Sequence, residues 1–300
     1  MENVPLVLAI KGNSLDDGPG IRTVIFFKGC PLSCVWCQNP ESKRAGEEIS
    51  FDAKECIDCG TCRENCGRGA LDKDNPFYID REKCDLCFQC VATCPVGALA
   101  IVGKKMSITE IVDVVKKDLP FFLNSGGGVT LSGGEPTLHM PFLSTLIQEL
   151  KGFGIHILLE TCGFFSLSTF DREIYPHLDQ IYFDLKIFDR EAHRQYCGVS
   201  NDRILQNFAA LQQRALDGNV PLLPRVPLIP GITATRANLE AIAHFLHQNG
   251  ATKVALLEYN PLWLEKTAKL GLLPTFASAV WMSREEIQTC KSIFGEFEVF

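Results

Sequence analysis

"IRTVIFFKGCPLSCVWCQNPES", residues 21–42, joins two signals. Its first half is a β-branched, almost wholly apolar run, the pattern of a strand buried on both faces. Its second half carries Cys30, Cys34 and Cys37, spaced C-x3-C-x2-C, directly after that strand. Five further runs are similar: "GVTLSG" (128–133), "HILLETCG" (156–163), "QIYFDLK" (180–186), "VPLLPRVPLI" (220–229) and "KVALLEYN" (253–260). Helical patterns over 107–118, 139–152, 200–217 and 235–249 lie among them. Ser107 with Glu110, and Ser283 with Glu286, have the spacing of capping boxes at helix starts. The alternation predicts an α/β fold on a parallel sheet, either a partial (β/α)6 barrel or a doubly wound open sheet. In both, the functional loops follow the C-terminal strand ends.

The bulk composition removes several function classes. The chain has 300 residues, 46% apolar and 22% charged, as in soluble globular proteins. A net charge of −7 without a long basic run argues against a nucleic-acid partner. No stretch approaches the roughly 18 apolar residues of a membrane span. The opening "MENVPLVLAIKG" lacks a basic flank and is too short in its apolar run for a secretory signal. The expected location is cytoplasmic. There, the fourteen cysteines are expected to be thiolate ligands rather than disulfides. Eleven of them fall between Cys30 and Cys94; Cys162, Cys197 and Cys290 lie outside and read as small buried hydrophobes.

Residues 50–102 form a distinct unit inserted after the first strand, leaving 1–49 and 103–300 for the barrel. "CIDCGTCRENC" (56–66) and "CDLCFQCVATC" (84–94) repeat C-x2-C-x2-C-x3-C at an offset of 28 residues. Each half is too short for an apolar core, so metal must organise it. The spacing is that of bacterial ferredoxins, where the fourth cysteine ligates the other cluster. Cys56, Cys59 and Cys62 with Cys94 would hold one [4Fe–4S] cluster, and Cys84, Cys87 and Cys90 with Cys66 the other. Paired zinc sites are the competing reading. Cys94 precedes a proline as the pattern expects, whereas Cys66 precedes Gly67.

Cys30, Cys34 and Cys37 have no fourth partner nearby. Either Cys162 or Cys197 closes the site, or the fourth position is open to a ligand that is not protein. The C-x3-C-x2-C spacing, with aromatic Trp36 before its last cysteine, resembles the radical S-adenosylmethionine (SAM) superfamily. More narrowly, "DGPGIRTVIFFKGCPLSCVWCQNPES" (17–42) resembles the glycyl radical enzyme activases. So do "SGGGVTLSGGEP" (125–136), "ETCG" (160–163), "FDLK" (183–186) and "RVPLIPG" (225–231). The resemblance implies the partial barrel rather than the open sheet. It also implies that three thiolates hold a [4Fe–4S] cluster whose fourth iron binds SAM.

By the same resemblance, Ser132, Gly133, Gly134 and Glu135 bind the SAM amino group. Asp184 and Lys186 contact SAM, the lysine through its carboxylate. Glu160 and Thr161 stand where the family has an Asp–Thr pair near SAM and a monovalent cation, the acid being one methylene longer here. Arg225 lies at the active-site mouth. Asn260 takes the place of a histidine in the pyruvate formate-lyase branch and is confined to hydrogen bonding. Asp17 and Arg22 belong to the N-terminal signature and are assigned to seating the partner. The six histidines show no metal spacing.

The function so implied is reductive cleavage of SAM to a 5′-deoxyadenosyl radical, which takes hydrogen from a glycine of a glycyl radical enzyme. Three [4Fe–4S] clusters, SAM and a flavodoxin or ferredoxin donor are the expected cofactors and partners. Two alternatives compete. One is a radical SAM enzyme that modifies another peptide or a small molecule. The other is a polyferredoxin-like electron carrier, which would leave "SGGEP" and "FDLK" without a purpose.

Overall fold

The computed structural model describes residues 4–300. Its strands, in chain order, are β1 (Leu6–Ser14), β2 (Arg22–Phe27), β3 (Glu48–Phe51), β4 (Leu99–Val102), β5 (Lys104–Lys105), β6 (Gly128–Gly133), β7 (His156–Thr161), β8 (Gln180–Asp184), β9 (Leu222–Pro227), β10 (Lys253–Leu257) and β11 (Glu298–Val299). Nine form one sheet in the order β11-β10-β9-β8-β7-β6-β2-β1-β5. From β2 to β11 every neighbouring pair is parallel. The six apolar runs are therefore consecutive staves of a partial barrel. Three strands were not foreseen. β1 and β5 close one side of the sheet as antiparallel edges. β11 adds a short parallel edge at the other.

The staves alternate in the manner their period demands. Outward residues such as Ile25, Val129, Ile157, Leu159, Ile181, Phe183 and Val226 are fully buried under the covering helices. Those helices contribute Leu143, Ile147 and Leu150 from Met140–Lys151, Phe208 and Leu211 from Asp202–Leu216, and Leu239, Ile242 and Leu246 from Arg236–Gln248. Each fully buried leucine of this layer contributes roughly 1.5–3 kcal/mol. Both capping boxes form: at each one the serine N–H donates to the glutamate at 2.7 Å and the glutamate N–H to the serine Oγ at 3.2 Å.

Between β2 and β6 the chain builds a separate two-stranded sheet, β3 against antiparallel β4, pairing Glu48 with Val102 and Phe51 with Leu99. Its small core includes Ile49, Leu71, Tyr78, Ile79 and Leu99 with Cys62 and Cys90. The 28-residue repeat of the sequence is also a repeat of backbone. Helical turns Thr61–Glu64 and Gln89–Ala92 stand at that offset. So do the left-handed pairs Asp58 and Leu86, Gly60 and Phe88, and Gly69 and Gly97.

This unit is tied to the barrel by charge. Lys28, at the exit of β2, is buried and pairs with Glu48 at 2.9 Å while donating to the Glu41 carbonyl at 2.6 Å. The Trp263–Lys269 helix reaches both parts: Lys269 and Glu265 pair with Asp52 and Lys54 of the insert. Lys266 between them donates to Gln38 O and Asn39 Oδ1 of the loop after Cys37, at 3.1 and 3.0 Å. No helix among the described residues is long and apolar enough to cross a membrane.

Candidate active site

At the C-terminal ends of the parallel strands lies a cavity of about 530 Å³. β2 feeds it Cys30, Cys34, Trp36 and Cys37; β6 feeds Ser132, Gly133 and Gly134; β7 feeds Glu160, Thr161 and Cys162. Asp184, Lys186, Arg225 and Asn260 enter from β8, β9 and the turn after β10. The glycines are there for backbone contact. A Cβ on Gly134 would stand 2.1 Å from Gly29 O, and one on Gly133 would stand 2.3 Å from Phe27 N. Gly134 and Glu135 instead donate N–H to Phe27 O and Gly29 O, both at 2.8 Å, carrying the β2–β6 ladder past the strand ends.

The inner wall is a continuous polar row. Ser132 Oγ donates to Glu160 at 2.5 Å, and Arg225 joins Glu160 to Asp184, with Nε 2.9 Å from Asp184 Oδ1. Lys186 Nζ donates to Asp184 Oδ2 at 2.8 Å. The register explains the contact, since Asp184 and Arg225 are directly paired across β8 and β9. Two acids balance two bases, which is what buried charge requires. Burial works against ionisation of Asp184, yet Arg225 and Lys186 outweigh it and hold its carboxyl below the usual range. Burial likewise opposes the Lys186 cation, but Asp184 and the Cys34 sulfur hold its pKa above the ordinary value. The internal pairing expected of a charged strand therefore coexists with an open face on the cavity.

Two expectations are corrected here. Glu135 does not line the cavity. It is fully buried beneath the turn, with Oε1 accepting from Thr137 Oγ1 at 2.7 Å and Thr161 Oγ1 at 2.9 Å, and Oε2 from Cys162 N at 2.7 Å. It pins β7 to the glycine turn. Arg22 cannot seat a partner, because it is fully buried and donates to Thr130 Oγ1 at 3.0 Å and to the Val129 carbonyl. Glu160 accepts from Ser132 through Oε2 and pairs with Arg225 through Oε1. Asp17 does reach the cavity wall. Asn260 lines it as well, with Oδ1 accepting from Leu262 N at 2.9 Å.

The other cysteines gather in two groups. One small cavity is walled by Cys56, Cys59, Cys62 and Cys94, the other by Cys66, Cys84, Cys87 and Cys90. Each set takes three sulfurs from one repeat and the fourth from the other. Tyr78 Oη lies 3.0 Å from Cys62 Sγ and stacks on Phe51 at 4.0 Å. Among the described residues no three His, Cys, Asp or Glu side chains close on a point that would hold a single ion. Sulfurs standing around a cavity are a donor set that fits an iron–sulfur cluster. The cavity donor set at Cys30, Cys34 and Cys37 fits a cluster on the same ground. All fourteen cysteines are free thiols.

Sequence reading missed the cavity's other wall, where Asp16 joins it from the turn after β1, and Pro227, Ile229, Leu257 and Glu258 from the ends of β9 and β10. No spacing among them could have announced that.

A partial parallel barrel carrying three cysteines on its first loop defines a radical SAM protein. Residues 82–246 match the radical SAM superfamily, and residues 16–65 a 4Fe-4S single cluster domain. The chain is 40% identical to an isethionate sulfite-lyase activating enzyme of Desulfovibrio desulfuricans, covering 89% of this chain and 86% of that one. It is 34% identical to a 4-hydroxyphenylacetate decarboxylase activating enzyme of Clostridioides difficile, over 96% and 92%. An indoleacetate decarboxylase activating enzyme of Tractidigestivibacter scatoligenes is 34% identical over 89% and 86%. A radical SAM methyltransferase from Sphaerobacter thermophilus shares the fold with a TM-score of 0.53 at 13% identity, covering 99% of this chain and 76% of that one. The chain belongs to the glycyl radical enzyme activating enzymes of the radical SAM superfamily. It binds SAM and an iron–sulfur cluster, and its protein substrate is a glycyl radical enzyme.

Proposed function

We propose that the strand-end cavity is the SAM site, with Cys30, Cys34 and Cys37 holding a [4Fe–4S] cluster against it. The observation that carries this is convergence. Three thiols, a glycine turn and a row of paired charges from different strands share one cavity. The cluster, when bound, supplies the electron that splits SAM into methionine and the 5′-deoxyadenosyl radical that takes hydrogen from the partner's glycine. The protein's own part is to bind, orient and exclude water. Gly133 and Gly134 let backbone approach the SAM amino group, beside Ser132. Lys186, held as a cation by Asp184, meets the SAM carboxylate. Arg225 holds Glu160 and Asp184 in place, and Thr161 and Trp36 shape the wall.

Residues 50–102 act as a ferredoxin-like domain with two further [4Fe–4S] clusters, set in a barrel formed by 1–49 and 103–300. The crossed cysteine sets around two cavities support that division. These clusters relay electrons from a flavodoxin or ferredoxin. The exposure of Cys59 and Cys87 supports a donor face on this domain. Replacing Cys59 and Cys87 should abolish activity with the protein donor and spare activity with dithionite. Equal loss with both would mean the clusters serve structure alone.

The principal test is anaerobic. Reconstituted protein is given dithionite and SAM, and 5′-deoxyadenosine is quantified for wild type and Cys34→Ala. Product from wild type alone is expected. No product from fully loaded wild type would overturn the assignment in favour of an electron carrier. Product without a glycyl radical EPR doublet on the partner would indicate another substrate.

A further inference from the structure

"NPESKR", residues 39–44, follows the last cavity cysteine and turns the chain back on itself. Pro40–Ser42 is one 3-10 turn begun by its proline, and Lys43 N closes it by donating to Pro40 O at 3.2 Å. Ser42 O then accepts from Gly29 N at 2.7 Å, and Lys43 O from Cys30 N at 3.1 Å, so the two ends of the cysteine loop are tied together. The Lys43 side chain crosses that loop, and its Nζ donates to the Cys34 carbonyl at 3.3 Å. The same carbonyl accepts from Cys37 N at 3.3 Å. From the other side the last turn of the Arg190–Cys197 helix grips the loop. Ser33 N donates to the Cys197 carbonyl at 2.8 Å and Val35 N to that of Tyr196 at 3.0 Å, both carbonyls being ones a helix C-terminus leaves without partners. The Cys34–Val35 peptide is thus held at both ends, its N–H by a helix and its C=O by an ammonium.

Backbone alone can satisfy the Cys34 carbonyl, as Cys37 N does. What the lysine adds is charge. The cations around it have counter-ions: Lys28 and Arg44 share Glu48, at 2.9 and 3.6 Å, and Lys266 pairs with Glu41 at 3.3 Å. In the cavity, Lys186 is paired with Asp184 at 2.8 Å. Lys43 is half-buried, and among the described residues its Nζ meets a carbonyl and no carboxylate. A cation so placed is balanced only if negative charge lies close by. We propose, on the assignment of a [4Fe–4S] cluster to Cys30, Cys34 and Cys37, that Lys43 is the counter-charge of that cluster, fixing the Cys34 peptide and raising the cluster's reduction potential. Three thiolates leave the cluster negative, and the electron it accepts from the donor adds one more negative charge. A fixed cation on the backbone of a ligand stabilises the reduced form more than the oxidised form. The ammonium keeps its protons, and no bond is made or broken.

The test compares reconstituted wild type, Lys43→Arg and Lys43→Gln. Arginine keeps the charge; glutamine keeps a donor for the Cys34 carbonyl without it. Iron content is measured, and an EPR-monitored redox titration follows the one cluster signal that SAM perturbs. The expected result is full iron content in all three proteins and a midpoint near wild type for arginine. For glutamine the reduced-to-oxidised ratio at a given potential should drop about tenfold, a one-electron shift of about 59 mV to lower potential. An unchanged midpoint in Lys43→Gln overturns the proposal, because the hydrogen bond alone would then suffice. An equal fall in both variants overturns it as well, making the effect one of shape. Loss of iron from either variant also overturns it, making Lys43 a structural clasp. Absence of any SAM-perturbed signal in wild type would overturn it together with the cluster assignment beneath it.

Discussion

Lys186 and Asp184 look alike in the sequence, two charges on one buried strand, but the contacts separate their roles. Asp184 bonds both Lys186 and Arg225, whereas Lys186 donates to Asp184 and otherwise faces the cavity. Lys186→Met leaves Asp184 paired with Arg225. The fold and iron content should survive while SAM binding weakens about 10- to 100-fold, the loss of one charge-assisted hydrogen bond of roughly 1.5–3 kcal/mol. Equilibrium binding of SAM to the reconstituted variant measures this. His156 gives a pH prediction. Burial and the neighbouring Arg22, whose Nη1 lies 3.2 Å from Nδ1, hold its pKa below the ordinary value. The unfolded chain then binds the proton more readily than the folded one, so stability falls with acid once pH drops below the ordinary histidine value of about 6.5. Melting temperatures between pH 7 and 5 should fall less steeply for His156→Gln than for wild type.

At the scale of elements, the two cluster-binding turns show what a repeat preserves. Both place a left-handed residue directly before the second cysteine of the run, Asp58 before Cys59 and Leu86 before Cys87. An aspartate tolerates that conformation better than a leucine, for which it costs roughly 1–2 kcal/mol. Leu86 is 37% exposed, so little packing depends on it. Leu86→Asn should stabilise the reconstituted domain by about 0.5–1 kcal/mol, read as slower loss of cluster absorbance in denaturant. The spacing of cysteines was legible here, and so was their crossed grouping around two cavities. The strain was not, because φ is a property of the folded turn. The same holds for the site. Ser132, Asp184, Lys186 and Arg225 could be singled out because their motifs resemble those of the activases. Glu135 was misassigned because its place under the turn, bonded to Thr137, Thr161 and Cys162, depends on β7 lying beside β6.

For the molecule as a whole, the Lys28–Glu48 pair joins the strand that leads to Cys30 with the start of β3, the strand that runs into the insert. Neither side chain is accessible enough for water to replace the other. Lys28→Met alone should cost about 3–5 kcal/mol, because it leaves a buried carboxylate uncompensated, although the exposed Arg44 lies 3.6 Å away. The double variant Lys28→Met/Glu48→Leu should recover most of that loss. Denaturant unfolding of the three proteins decides it. If the single and double variants are equally stable, the pair does not hold the two parts together. A matched readout is the rate of donor-driven 5′-deoxyadenosine formation, which should fall in the single variant if the insert loosens.

Local chemistry was enough to read the alternation of strands and helices, the two capping boxes, the duplicated cluster motif and the glycine turn. Each depends on residues close in the chain, where period, sterics and ligand spacing act directly. The antiparallel edges β1 and β5, the burial of Arg22, the closure of Glu160 by Arg225 and the grip of Tyr196 and Cys197 on the cysteine loop were settled only on folding. Apart from the β1–β2 pairing, those contacts join residues from 65 to more than 160 positions apart. No local pattern encodes them; they follow from which strands become neighbours and how tightly a buried charge or carbonyl must find its partner.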